Sequence, residues 1–219
     1  RVSYAIPQLG GNATMSTMCL QAKGGQLNFV GLDGHVLAWD KVDYDGEFEL
    51  LIPKNTIDKL KTLELTGEVR IRHSNAMAIF ATENFEICTR LVQGEYYKYQ
   101  NMFKELPLHT VISRKELLNA MVRAKMCTAE KCPVKFEIAG SQLSLSIKDQ
   151  TTDYHETVDL QEDISEELTI GFDARLVIET LKAFDCDNVG ISLHSPKMPM
   201  IIEAEDSDFK TIVLPVTIK

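Results

Sequence analysis

The feature that most constrains this chain is an internal repeat. Leu20-Gln21-Ala22-Lys23-Gly24-Gly25-Gln26-Leu27-Asn28-Phe29-Val30-Gly31-Leu32-Asp33 aligns without a gap to Phe136-Glu137-Ile138-Ala139-Gly140-Ser141-Gln142-Leu143-Ser144-Leu145-Ser146-Ile147-Lys148-Asp149. Both copies read as alternating apolar residues, a turn, Gln-Leu, a second alternating run and a closing Asp. The likeness continues downstream. The run ending at Ile52, the helical stretch after it and Val69-Arg70-Ile71 mirror the run ending at Ile170, its helical stretch and Val189-Gly190-Ile191, and Asn84-Phe85-Glu86 matches Asp208-Phe209-Lys210. A period of about 118 residues is too long for a solenoid unit and suits a duplicated domain.

Local signals fill in each copy. Gly24-Gly25 and Asp33-Gly34 between alternating apolar runs predict tight hairpin turns, because glycine accepts positive φ and aspartate bonds its own backbone. Strands are expected over 15–23, 27–32, 36–42, 48–52, 68–73, 76–82 and 85–92, and again over 134–139, 142–147, 154–160, 168–171, 189–194, 198–204 and 210–218. Ile57, Leu60 and Leu63 form one apolar stripe on a helix opened by Pro53-Lys54-Asn55-Thr56. Ser113-Arg114-Lys115-Glu116 has the spacing of a capping box, in which serine bonds a free backbone N–H and glutamate reaches back, so a helix over 113–127 follows. Asp173 caps a third helix, with Leu176, Val177, Leu181 and Phe184 turned inward. Leu106-Pro107-Leu108 marks the expected boundary, giving domains 1–106 and 107–219. Strands linked mostly by hairpins, with a few helices between them, predict an α+β fold: two duplicated domains of antiparallel sheet with helices on one face.

Composition narrows the function. An apolar share of 44% supplies real cores, and no apolar run is long enough to span a membrane. Residues 1–4 do not open a signal peptide, so a cytoplasmic protein without membrane attachment is expected. Cys19, Cys88, Cys127, Cys132 and Cys186 are odd in number and never spaced as Cys-x-x-Cys, which favours reduced thiols over a disulfide framework or a zinc site. A metal site at Cys127, Cys132 and His155 is conceivable but lacks ligand spacing, and no cofactor is expected.

The net charge of −9 argues against a general grip on phosphate, yet its distribution is uneven. Helix 113–127 carries Arg114, Lys115, Arg123 and Lys125 against Glu116, net +3, and helix 54–63 carries Lys54, Lys59 and Lys61 against Asp58, net +2, which leaves −14 elsewhere. Basic residues on a helix are ordinarily a solvated face. Concentrated in an acidic chain, they also make a candidate phosphate-facing surface. The third helix, with Arg175 and Lys182 against Asp173 and Glu179, nets zero. The acidic runs 162–167 and 203–208 lack calcium-loop spacing and read as exposed loops.

A family resemblance rests on Gly31-Leu32-Asp33-Gly34-His35-Val36-Leu37-Ala38-Trp39, on Gly94-Glu95-Tyr96-Tyr97-Lys98-Tyr99, and on the closing Ile212-Val213-Leu214-Pro215-Val216-Thr217-Ile218. Together these resemble the bacterial DNA polymerase III beta subunit, the sliding clamp, over essentially the whole chain but only its second and third domains. The resemblance implies a truncated middle domain that starts inside its first helix, followed by the C-terminal domain. Full-length clamps are ring-shaped homodimers, and this piece alone is expected to be monomeric. It implies a non-enzymatic processivity factor that tethers DNA polymerase to duplex DNA, held loosely and without sequence preference. Lys54, Lys59, Arg114, Lys115, Arg123 and Lys125 would face the duplex, since phosphate contacts position without reading sequence and stay salt-sensitive.

The resemblance further implies a hydrophobic groove between the two domains for linear peptides of polymerases, clamp loaders and repair proteins. Its walls would be Met15, Leu32, Gly34, His35, Leu37, Tyr97 and Met102, with Ile212, Leu214, Pro215, Val216 and Ile218 from the end of the chain. A peptide burying a Leu and a Phe gains about 1.5–3 kcal/mol per side chain, which after ordering costs leaves micromolar, exchangeable binding. Three positions depart from the family pattern: Tyr97 stands where Pro is usual, Val36 where Arg is common, and the closing Leu-Pro-Val-Thr-Ile-Lys differs from the more frequent Met-Pro-Met-Arg-Leu. The alternatives are a cytosolic enzyme using Cys19, His35 or Cys132, and a clamp-derived peptide-binding module that does not encircle DNA. Against the enzyme, no serine or cysteine stands in a nucleophile elbow and no glycine run matches a phosphate loop.

Overall fold

The computed structural model describes residues 1–8, 12–63, 67–127, 133–148 and 152–218. The chain divides into two compact units, Arg1–Tyr99 and Gln100–Lys219.

In the first unit, β1 (Thr17–Lys23) and β2 (Gln26–Leu32) form a hairpin across Gly24 and Gly25, at φ +62° and +78°. Two successive positive φ values are cheap only without a Cβ, and they match the twist of the flanking strands. β3 (Val36–Asp43) pairs with β2, and β4 (Phe48–Pro53) pairs with β1, so the antiparallel order is β4-β1-β2-β3. α1 (Lys54–Thr62) buries Thr56 and Ile57 and lies against β1 and β4. A separate three-stranded sheet follows, from β5 (Arg70–His73), β6 (Met77–Ala81) and β7 (Glu86–Arg90).

The second unit runs β8 (Leu108–Ser113), α2 (Arg114–Met126), β9 (Val134–Lys148), β10 (Asp153–Phe172), α3 (Ala174–Lys182), β11 (Asn188–Leu193), β12 (Met200–Ala204) and β13 (Lys210–Val213). Its strands pair in the antiparallel order β13-β12-β11-β8-β10-β9. The two helices pack on each other, and α2 also packs on β8 to β11, burying Leu117, Ala120, Met121 and Ala124. Ser113 accepts a hydrogen bond from the Glu116 amide, which is the serine half of the expected capping box, and Asp173 accepts one from the Arg175 amide, as expected of a cap. Phe136 with Phe172 and Phe184 with Phe209 form inclined aromatic pairs, centroids 5.1 and 4.6 Å apart.

The repeat extends to strand pairing. Leu20 lies opposite Leu50, and its aligned partner Phe136 lies opposite Ile170. Asn28 lies opposite Lys41, and Ser144 opposite Thr157. The meander β5-β6-β7 is matched by β11-β12-β13.

Four expectations need correction. β8 lies outside the expected strands, although it joins β11 to β10 and thereby makes one sheet of the second unit. The runs 134–139 and 142–147 form one element, β9, and 154–160 and 168–171 form one element, β10, because a bridge from Ile164 to Gly140 carries the ladder across irregularities on either side. The acidic run 162–167 is therefore part of β10, with Ile164 buried and its neighbours exposed, and is no loop. The last strand ends at Val213: Pro215 has no N–H to give, and the Val216 amide bonds to the Gly171 carbonyl at 2.8 Å.

Candidate functional site

In the first unit the predicted residues gather around the turn between β2 and β3. The Asp33 carboxylate accepts from the amides of His35 and Val36 at 2.8 and 2.7 Å, and the Asp33 amide closes the turn on the Val36 carbonyl. Gly34 adopts φ +87°, and the Met15 methyl lies 3.4 Å from where a Cβ would stand. Leu32 and Leu37 face one another across the strands and are 8% and 2% exposed. They stiffen the turn from within, whereas His35 and Gly34 are exposed and Met15 is half-buried. Gly31 admits the 3-10 turn Val2–Ala5, whose Val2 carbonyl oxygen lies 2.6 Å from its absent Cβ.

Tyr97 is half-buried, packs edge-on against Tyr96 at 5.7 Å, and accepts a hydrogen bond from the Asn12 amide nitrogen at 3.1 Å. Thr14 lies 3.2 Å from the position of a Cβ on Gly94. Residues 12–15 thus hold Tyr97 on one side and meet Gly34 on the other. Asn12 and Thr14 carried no recognisable sequence signal, since they act through contacts about eighty residues away in the chain.

The second unit supplies the other predicted set. Ile212 is buried in β13, Leu214 is 39% exposed, and Pro215, Val216 and Ile218 are half-buried. The tail lies along the end of β10: a Cβ on Gly171 would stand 2.6 Å from Ile218 Cγ1 and 2.8 Å from the Val216 carbonyl oxygen. Glycine at 171 is what lets the tail approach. The only sequence hint was Gly171 following the alternating run Leu168-Thr169-Ile170. Met102, exposed, ends the 3-10 turn Tyr99–Met102.

The basic residues fare unequally. Lys59 and Lys115 are exposed and, among the described residues, without an ion-pair partner. Lys125 is also exposed, and its charge helps to lower the Asp173 carboxyl pKa, chiefly set by the Arg175 hydrogen bond. Lys54 pairs with Asp58 at 2.8 Å. Arg114 donates to the carbonyls of Cys186 at 2.6 Å and Leu181 at 3.5 Å, satisfying groups beyond and at the end of α3. Arg123 grips Glu156 with two nitrogens.

Of the conceivable enzyme residues, Cys19 is fully buried, and burial, with Glu49 adding to it, pushes its thiol well above the usual range. A nucleophile needs the thiolate, which this environment disfavours. Cys132, also part of the conceivable metal set, lies outside the described residues, as does Lys219. Among the described residues no cluster of three or more His, Cys, Asp or Glu could hold a metal, and no helix is long and apolar enough to cross a membrane. Cys88 is exposed, unlike the buried Cys19 and Cys186.

Residues 104–217 match the family described as "DNA polymerase III beta subunit, C-terminal domain". A beta sliding clamp of Streptococcus pneumoniae is 26% identical over 203 residues, covering 87% of this chain and 53% of the relative. One of Vibrio cholerae is 24% identical over 216 residues, covering 92% and 57%. The crystal structure of the DNA polymerase III subunit beta from Pseudomonas aeruginosa superposes with a TM-score of 0.93 at 24% identity, covering 100% of this chain and 62% of that one. The chain thus spans between half and two thirds of the length of the relatives it matches.

Proposed function

The chain belongs to the DNA polymerase III beta subunit family, the sliding clamps, and on that premise we propose that it serves as a processivity factor with no catalysis of its own. Residues 1–106 correspond in this reading to the middle domain of a clamp and 107–219 to its C-terminal domain. The protein helps to hold a replicative polymerase on duplex DNA and receives linear peptides of its partners on apolar side chains. Each unit contributes its own set of side chains to peptide binding. In the first they are Met15, Gly34, His35 and Tyr97, backed by Leu32 and Leu37, and in the second the tail from Ile212 to Ile218 with Met102.

The observation that carries the reading is the tail itself. Leu214 is exposed beside half-buried Pro215 and Val216, so the tail offers a contiguous run of apolar surface on which the side chains of a peptide can be buried. The test is a fluorescence titration with a labelled peptide of the Gln-Leu-x-Leu-Phe type. Micromolar binding is expected. Leu214→Asp replaces an apolar contact of about 1.5–3 kcal/mol by a charge and should weaken it by about tenfold or more. Absence of binding by the unchanged protein, or equal binding by Leu214→Asp, defeats the reading.

The duplex side of the function rests on exposed Lys59 and Lys115, joined by Lys125. Few contacts, all of them to phosphate, make a hold that is weak and falls with salt.

A further inference from the structure

Along the first half of β10, Asp153, His155, Thr157 and Asp159 are exposed, while Tyr154 and Glu156 are half-buried and Val158 and Leu160 buried. Glu156 therefore sits on the sheet face that packs under α2, at a position where an apolar residue would be expected. A carboxylate there costs free energy unless it is paired and hydrogen-bonded. It is both. Arg123 Nε donates to Glu156 Oε2 at 2.9 Å, and Nη2 donates to Oε1. The Tyr154 hydroxyl stands 2.5 Å from the same Oε2 and 3.1 Å from the Ala120 carbonyl oxygen on α2, which ties the cluster to the helix. The carboxyl pKa is lowered, first by the Arg123 hydrogen bond.

The two-pronged grip of a guanidinium on a carboxylate uses the same donors, in the same fork, that it would offer a phosphate. Glu156 takes the Nε–Nη2 side of the fork and offsets the guanidinium charge, so a phosphate is left only the Nη1 side and a weaker attraction. Yet the Arg123 side chain is 52% exposed and Glu156 25%, so Arg123 stands at the surface where a phosphate could reach it.

We propose that Glu156 is an internal rival of DNA phosphate for Arg123: it occupies the guanidinium, with Tyr154 holding the carboxylate in place, and so keeps the hold of α2 on duplex DNA weak. The proposal rests on the duplex-facing reading of α2 and deepens it. A partner that slides gains from a helix whose strongest phosphate ligand is already engaged. Glu156 and Tyr154 act here as positioning residues, and neither touches DNA.

The test is fluorescence anisotropy of a short labelled duplex against the full chain, between about 50 and 200 mM salt. Glu156→Gln is expected to bind more tightly and to steepen the slope of log K on log salt by about 0.9, so its advantage over the unchanged protein shrinks about 3.5-fold across that range. Arg123→Gln alone should leave the slope unchanged, and adding it to Glu156→Gln should restore the original slope. Glu167→Gln removes the same charge from an exposed position of β10 and should change nothing. Glu156→Asp, whose stem is one methylene shorter and holds the carboxylate back from the guanidinium, provides the same test should Glu156→Gln fail to fold. An unchanged slope in the Glu156 variants, or a shallower one in Arg123→Gln alone, overturns the proposal while the duplex reading stands. Failure of the unchanged protein to bind duplex at any salt overturns both.

Discussion

Gly171→Ala isolates how the tail is held. The added methyl would lie 2.6 Å from Ile218 Cγ1 and 2.8 Å from the Val216 carbonyl oxygen. The second contact is with backbone, and β10 is fixed by its pairing with β9, so the tail must move. Its attachments at this point are the Val216 amide bond to the Gly171 carbonyl, worth about 1 kcal/mol, and the half-buried Ile218, worth about 1 kcal/mol more. A docked state favoured by about 2 kcal/mol outnumbers the undocked one about thirtyfold. Overpacking costs about 1–3 kcal/mol, which lowers the docked fraction to between roughly 85% and 15%. Amide exchange reads this directly: protection of the Val216 N–H should fall from about thirtyfold to between about six and one. If the tail receives the partner peptide, the apparent Kd rises by at most about sixfold, the inverse of the docked fraction. Undiminished protection at Val216 in Gly171→Ala would refute the reasoning, whatever the peptide does.

Two other outcomes follow from buried groups. Burial raises the pKa of Cys19, Tyr96 and Tyr99, and of Tyr154 with help from Glu156, above their ordinary values. Their protonated forms stabilise the fold below the unfolded values, roughly 8.5 for Cys and 10 for Tyr, and that stability is lost as pH climbs beyond them. Thermal unfolding between pH 7 and about 11 should show this decline, and at neutral pH a thiol reagent should modify exposed Cys88 while sparing Cys19. Equal labelling of the two in the native state would contradict it. Arg114→Met keeps an apolar stem but leaves the Cys186 and Leu181 carbonyls without their guanidinium donor, and should destabilise the second unit by about 1–3 kcal/mol in denaturant. Unaltered stability would mean that these bonds are incidental and leave Arg114 available to the duplex.

Much of the architecture was legible because its signals are local. Gly24-Gly25, Asp33-Gly34, the Ser113 cap and the Asp173 cap each act within a few residues, and each is found where the spacing put it. β8 has no such local signal: Leu106-Pro107-Leu108 reads as a linker, and only pairing with β11 and β10 makes Leu108–Ser113 a strand. The acidic run in β10 misled for a related reason: its charges point to solvent on both sides of Ile164, which alone is buried. Among candidate site residues, the apolar ones could be named only from the family resemblance. Their support could not, because Asn12 reaches Tyr97 and Gly171 meets Ile218 across long stretches of chain.

The sequence by itself determined the duplication, the alternation of strands, the helix caps and the concentration of positive charge on two helices. These depend on periodicity and on neighbours a few residues apart. Only the tertiary structure decided which charges are spent. Arg114 and Arg123 look alike in the sequence, yet one is bound to backbone carbonyls and the other to Glu156. Whether a basic residue is available to a partner depends on the acceptors that folding brings within hydrogen-bond reach, and those acceptors come from strands and loops distant in the chain.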